Sequence, residues 1–286
     1  MSGALPGPFE LDADTALAAA GGSGGCYSGR LATRWNVGGG MNGGYLAAFC
    51  LRGVLEASAL PDPLSMTIHY LSRPLPGSAT VRVVAMREGR GHATYRFDLV
   101  QGAEELRATG LVLTGRRRAR GELDFGPPPP DVPPPDKCSA LKRWTPEGES
   151  MTLMGRLEQR VARGGDVFFM STQAGEARTG GWTRLADGRP SDDLCAPLFL
   201  DCWPPAVFSR TRRAGEGGAP TLELTVHWRN AVPAGWMYAR FETDLYAGGY
   251  VDESGQLWSP EGVLVAESRQ LARYAPLPAG TGLPVP

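Results

Sequence analysis

The chain repeats itself. LSMTIHY (Leu64–Tyr70) recurs as LELTVHW (Leu222–Trp228) 158 positions later, so Thr67 meets Thr225 and His69 meets His227. The same offset aligns Gly77 with Gly235, Gly91 with Gly249, Leu99 with Leu257 and Ala108 with Ala266. Two long copies point to a duplicated domain rather than a solenoid, whose units are shorter and more numerous. Between the copies lies GPPPPDVPPPDK (Gly126–Lys137). So many prolines exclude helix and central strand, and the segment reads as an extended surface connector. The expected organisation is a first repeat over residues 1–120, a linker over 121–137 and a second repeat over 138–286. Near the start of each copy, GRLATR (Gly29–Arg34) matches GRLEQR (Gly155–Arg160) at an offset of 126. That match predicts about 33 extra residues in the second copy, near Gly164–Gly181.

Within the first copy GRLATRW reads as a short strand. Asn42 to about Leu60 reads as a helix, with Tyr45, Leu46, Phe49, Cys50, Val54 and Leu55 mostly at helical spacing. Ala47 and Ala48 fill much of the remaining circumference, so this helix should be buried on most sides. Four strand patterns follow: Ser65–Leu71, Ala79–Arg87, His92–Val100 and Leu106–Thr114, separated by Pro-Gly and Gly-Arg-Gly turns. The second copy repeats them near Thr221–Arg229, Trp236–Leu245, Gly249–Leu257 and Val263–Tyr274. One strand, a buried helix and four antiparallel strands describe an α+β hot-dog unit, a curled sheet wrapped around a central helix. Two in tandem make a double hot dog, in which duplication supplies the pairing that separate chains otherwise provide.

Composition removes several functions. The net charge of -1 argues against a nucleic-acid binder. The basic run RRRAR (Arg116–Arg120) borders the proline segment and reads as a solvated linker edge. No apolar run is long enough to span a membrane. The N-terminus has neither the basic start nor the apolar core of a signal peptide. The five cysteines form no zinc or redox spacing, and Cys50, Cys195 and Cys202 lie in apolar runs. A cytoplasmic protein without metal or cofactor is expected.

GGGMNGGYLAAFC (Gly38–Cys50) resembles a phosphate loop only in its glycines. It lacks the Lys-Ser/Thr ending, and the strands after it are antiparallel in pattern. At an offset of 159, Asn42 aligns with Asp201, so the loop opens a buried helix where the second copy carries a carboxylate.

Several stretches resemble the thioesterase-like branch of the hot-dog superfamily, close to the type II acyl-CoA thioesterases. They are MNGGYLAA (Met41–Ala48), LSMTIHYLSRP (Leu64–Pro74), GGWTRLADGRPSDDL (Gly180–Leu194), LDCWPPAVF (Leu200–Phe208), PTLELTVHWR (Pro220–Arg229) and LVAESRQLARY (Leu264–Tyr274). The resemblance implies hydrolysis of an acyl thioester, acyl-CoA or another, by a water that an Asp, a Thr and a Gln hold and activate. Residue by residue it carries these roles to Asp201, Thr221 and Gln270. Two departures stand out: Asp192–Leu194 lies several residues closer to Asp201 than in the family pattern, and CWPP (Cys202–Pro205) should end or kink the helix early.

The residues themselves are compatible with that chemistry. GxSxG and HExxH are absent. His69 and His227 are repeat equivalents in mid-strand and read as core or interface residues, and His92 starts a strand. A carboxylate with a bound water remains. Asp201 sits in an otherwise apolar run, where burial would raise its pKa toward that of a base. Thr221 begins a strand and Gln270 lies in a late one, so each reads locally as an ordinary strand residue too. Asn42, Gly43 and Gly44 are the expected substrate-binding group, offering donors to the thioester oxyanion. Arg73, Arg229 and the Arg116–Arg120 run are candidates for CoA phosphates. A non-catalytic acyl-CoA binder and an acyl-thioester dehydratase or hydratase are the alternatives, and assembly into a homo-oligomer is open.

Overall fold

The computed structural model describes residues 8–21, 25–38, 40–119, 121, 124–141, 149–163, 176–211 and 218–275. In the first half α1 (Glu10–Asp14) is followed by β1 (Ala18–Ala19), β2 (Cys26–Leu31), β3 (Asn36–Val37) and β4 (Gly40–Met41). Helix α2 (Gly43–Ala57) precedes β5 (Asp62–Tyr70), β6 (Gly77–Glu88), β7 (His92–Gln101) and β8 (Glu105–Gly115). The second half contains β9 (Ser139–Ala140), β10 (Leu157–Arg163), β11 (Arg178–Leu185), α3 (Cys195–Phe199) and α4 (Ala206–Thr211). It ends with β12 (Thr221–Trp228), β13 (Met237–Ala247), β14 (Tyr250–Trp258) and β15 (Leu264–Arg273).

All strands but β3 and β4 join one antiparallel sheet of 13, in the order β1-β2-β6-β7-β8-β5-β12-β15-β14-β13-β11-β10-β9. The order reads the same outward from its centre, β5 with β12, β8 with β15, β7 with β14 and β6 with β13. The central register explains why. Thr67 faces Thr225, His69 faces Glu223 and Ser65 faces His227. Residues 65 and 223 are repeat equivalents, as are 69 and 227, so exchanging the halves maps the pairing onto itself. A local two-fold axis therefore passes between Thr67 and Thr225, whose hydroxyls lie 2.8 Å apart.

Helix α2 is buried from Gly44 to Leu51, with Tyr45, Ala47, Ala48, Phe49, Cys50 and Leu51 fully enclosed. It packs on β5, β6, β7 and α3. Burying a side chain the size of Phe49 or Leu51 contributes roughly 1.5–3 kcal/mol each. Asn42 caps the helix by accepting from the Tyr45 N–H at 2.9 Å. In the second half the apolar run breaks into the short α3 and α4, with Asp201–Pro205 between them. Pro204 and Pro205 cannot continue a helix, as the CWPP text predicts.

Three expectations need correction. The strand that pairs with β13, as β2 pairs with β6, is β11 and not the one containing GRLEQR. That text leads into β10, which pairs with the far edge of β11 and so takes the place of the short β1. The inferred register change near Gly164–Gly181 therefore rests on a chance match, and residues 164–175 lie outside the described residues. Second, His69 and His227 are exposed rather than core residues, and they lie on β5 and β12, the strands that join the halves. Third, Arg117 is not a solvated edge: it pairs with Asp62 and Asp193 and donates to the Asn230 carbonyl at 3.2 Å, joining the halves. Arg120 lies outside the described residues. The proline connector runs mostly exposed, pinned where the Trp182 indole donates to the Pro133 carbonyl at 2.8 Å.

Candidate active site

Asp201 follows α3 and meets the entrance of α2 from the other half. The Asn42 side-chain amide donates to Asp201 Oδ2 at 2.8 Å and to its backbone carbonyl at 2.7 Å. The Gly44 N–H donates to the same Oδ2 at 2.8 Å. Two of these bonds fall on Oδ2, and the Gly43 N–H also lies against the carboxylate. Gly44 is sterically required here, and Gly43 leaves little room for a side chain. A Cβ on Gly44 would stand 2.3 Å from the Pro197 carbonyl oxygen, and one on Gly43 would stand 3.0 Å from the Tyr70 hydroxyl. That hydroxyl donates to the Gly43 carbonyl at 2.7 Å and holds the turn against β5.

The electrostatics suit a base. Among the described residues no cation pairs with Asp201. Burial drives its pKa up from 3.8 to about 6, against the opposing N–H groups of Gly44 and Gly43 and the Asn42 amide. Uncharged donors orient the carboxylate without stabilising its charge as fully as an ion pair would.

Thr221 and Gln270 form a second cluster. The β12–β15 register shifts between Thr221 and Glu223, a local irregularity of the kind that re-aims side chains. The Thr221 hydroxyl donates to Gln270 Oε1 at 3.1 Å. Gln270 is buried, not the exposed strand residue that its local sequence also allowed. Its amide nitrogen donates to Glu253 Oε1 at 2.8 Å, and Glu253 Oε2 accepts from the Ala206 N–H at 2.5 Å. Burial pushes Glu253 up to about 7, and the Asp201 charge adds to that shift, so the two clusters feel each other.

Sequence reasoning missed Tyr70 and Glu253. For Glu253 a signal existed. In YVDESGQLW the inward phase of the strand is Val251, Glu253, Gly255 and Leu257, and an acid in that phase is anomalous. Asn42, Gly43 and Gly44 were expected to face an oxyanion. In this structure their donors are aimed at Asp201. Of the candidate arginines, Arg229 is paired with Glu267 and Arg117 is committed internally, while Arg73 is exposed beside Gly40.

Comparison with known proteins decides the family. Residues 31–115 match the acyl-CoA thioesterase N-terminal domain and residues 129–274 match the acyl-CoA thioesterase C-terminal domain. The chain belongs to the acyl-CoA thioesterase family. Among solved structures it is similar to a protein from Thermobifida fusca assigned as a thioesterase II. The two share 26% identity and a TM-score of 0.82, over 93% of this chain and 98% of that one. It is also similar to a hot-dog protein of unknown function from Alicyclobacillus acidocaldarius, 23% identical with a TM-score of 0.81, over 93% and 98%. The acyl-CoA thioesterase II TesB2 of Mycobacterium marinum shares the fold at 16% identity and a TM-score of 0.66, over 94% and 99%. An uncharacterized protein of Mycobacterium tuberculosis is 24% identical over 271 residues, 86% of this chain and 90% of that one. No helix among the described residues of this family member is long and apolar enough to cross a membrane.

Proposed function

We propose that this family member hydrolyses an acyl-CoA, or a closely related acyl thioester, to the free acid and the thiol, with Asp201 as general base. The observation that carries the reading is the Asp201 carboxylate, buried, without a cation among the described residues and raised to about 6, with Oδ2 oriented by the Asn42 amide and the Gly44 N–H. A water between Asp201 and Thr221 gives one proton to the Asp201 carboxylate while its oxygen bonds to the thioester carbon. The tetrahedral intermediate collapses, the C–S bond breaks, and the departing sulfur takes the proton back from Asp201. As Asp201 is protonated its hold on Asn42 and the Gly44 N–H weakens, and these donors become available to the oxyanion forming beside them.

The fold reading belongs with this proposal: two hot-dog repeats, 1–120 and 138–286, joined by the 121–137 linker and each wrapping a sheet around its helix. The repeats would then lend one base and one set of donors to a single site. The dehydratase alternative needs a histidine beside the carboxylate, and His69, His92 and His227 are all exposed. The test is release of thiol from a panel of acyl-CoAs, read with a thiol-reactive dye, for wild type and Asp201→Asn. Turnover in the wild type and its loss in the variant are expected. A variant as active as wild type would remove Asp201 from the mechanism.

A further inference from the structure

Glu253 is a buried acid that the three-residue water site does not use. It lies on the inward face of β14, opposite Gln270 on β15 and Thr243 on β13. Among the described residues no cation pairs with it, so its place is not that of a structural ion pair. Its polar contacts among the described residues are donors: the Gln270 amide nitrogen at 2.8 Å, the Ala206 N–H at 2.5 Å and the Thr243 hydroxyl. Each carboxylate oxygen therefore accepts, and the ionised form, an acceptor at both oxygens, meets them best. This fixes the direction of the chain of hydrogen bonds. Were the Gln270 amide reversed, its oxygen would face a carboxylate oxygen at hydrogen-bond distance, which is repulsive. With its nitrogen committed to Glu253, its oxygen faces Thr221, 3.1 Å away. The single hydroxyl proton of Thr221 must go to that oxygen, so Thr221 has only lone pairs left to offer.

We propose that Glu253 is a positioning residue of the hydrolytic site: it locks the Gln270 amide so that Thr221 can only accept a hydrogen bond from the attacking water. A water between Thr221 and Asp201 then donates both of its protons, and both of its lone pairs stay free of hydrogen bonds, one of them to attack the thioester carbon. With the polarity reversed, Thr221 would donate to the water, which occupies one lone pair and draws electron density from the attacking oxygen. The inference rests on the hydrolase reading above.

The experiment separates the two. Wild type and Asp201→Asn are assayed first: no thiol release by the wild type, or undiminished release by the variant, defeats the hydrolase reading itself. With that reading standing, Glu253→Gln is assayed. An amide at 253 must present a nitrogen either to the Ala206 N–H or to Gln270, so the network strains or reverses. The expected result is a kcat about 10- to 100-fold lower with KM within about 3-fold. The exchange variant Glu253→Gln/Gln270→Glu restores every hydrogen bond and the Thr221 polarity, and should recover at least about tenfold of the lost kcat. Wild-type kcat in folded Glu253→Gln overturns the proposal, and so does an exchange variant that recovers nothing. If Glu253→Gln does not fold, the exchange variant decides alone. Activity within about tenfold of wild type supports the role, and a folded protein as inactive as Asp201→Asn overturns it.

Discussion

Replacing Asp201 by Asn should disable turnover and stabilise the fold at the same time. The folded protein holds this carboxyl at about 6 against an ordinary 3.8. Between those values the folded state binds more protons than the unfolded one, so stability falls as pH rises through the window. Above about 6 the whole penalty is present. The gap corresponds to about 3 kcal/mol at 1.36 kcal/mol per pH unit. Effective screening around buried groups reduces the expected gain to about 1–3 kcal/mol. Asn fits the same geometry, because its single carbonyl oxygen can accept from both the Asn42 amide and the Gly44 N–H, as Oδ2 does.

Urea denaturation at pH 8 should therefore show Asp201→Asn more stable by about 1–3 kcal/mol, with a rise of several degrees in Tm. At pH 5 about half of that gain should remain, and near pH 3.5 none. Relief of the neighbouring Glu253, whose pKa the Asp201 charge raises, works in the same direction. Acyl-CoA hydrolysis should meanwhile fall by about 10²- to 10⁴-fold, the usual contribution of a positioned base. A stability gain over wild type that is no larger at pH 8 than at pH 5 would refute the burial argument.

In wild type, kcat/KM should rise with pH through two coupled steps near 6 and 7, which belong to Asp201 and Glu253 as a pair; a flat profile from pH 5 to 8 would count against both. Gly44→Ala should lower stability by about 1–3 kcal/mol and sharply cut kcat, because its methyl cannot share space with the Pro197 carbonyl; thermal melts and thiol release check this. Tyr70→Phe strands the Gly43 carbonyl without its donor, so a loss of about 1 kcal/mol and a several-fold fall in kcat are expected. Asn42→Asp brings a second carboxylate against Asp201, and the acid limb of the pH–rate profile should move to higher pH with a lower maximum.

The repeated text made much of this fold readable. A constant offset of 158 placed corresponding strands in both halves, and β5–β8 and β12–β15 fall within a few residues of the patterns that announced them. The helix after Asn42 was legible from the helical spacing of Tyr45, Leu46, Phe49, Cys50, Val54 and Leu55, and it ends at Ala57 rather than near Leu60. GRLEQR misled because six residues with Gly, Arg and Leu in common carry little information, while strand identity depends on pairing partners far away in sequence. Aligning Asn42 with Asp201 was possible from the text. Their direct contact was not, because it arises from the β5–β12 pairing that brings the halves face to face. Glu253 escaped for a related reason. Its anomaly lies in the phase of β14, and its meaning comes only from Gln270 across the ladder.

The two-fold axis also explains why one half should keep a carboxylate and the other an amide. Equivalent positions near a symmetry axis meet each other, so a symmetric pair would set identical side chains in contact. Two aspartates in hydrogen-bond contact could not both ionise, and one would hold a proton that the reaction needs removed. Two asparagines would leave no base. One Asn against one Asp satisfies the contact: the amide nitrogen donates to Oδ2, and the amide oxygen is used by the Tyr45 N–H. The cap of one helix and the orientation of the base are thus the same residue, and any change at Asn42 acts on both. A pair of identical chains cannot make this arrangement, because divergence of the two positions requires them to be encoded separately. If Asp201 is the base as proposed, two separately encoded helix entrances are free to specialise, one as base and one as its support.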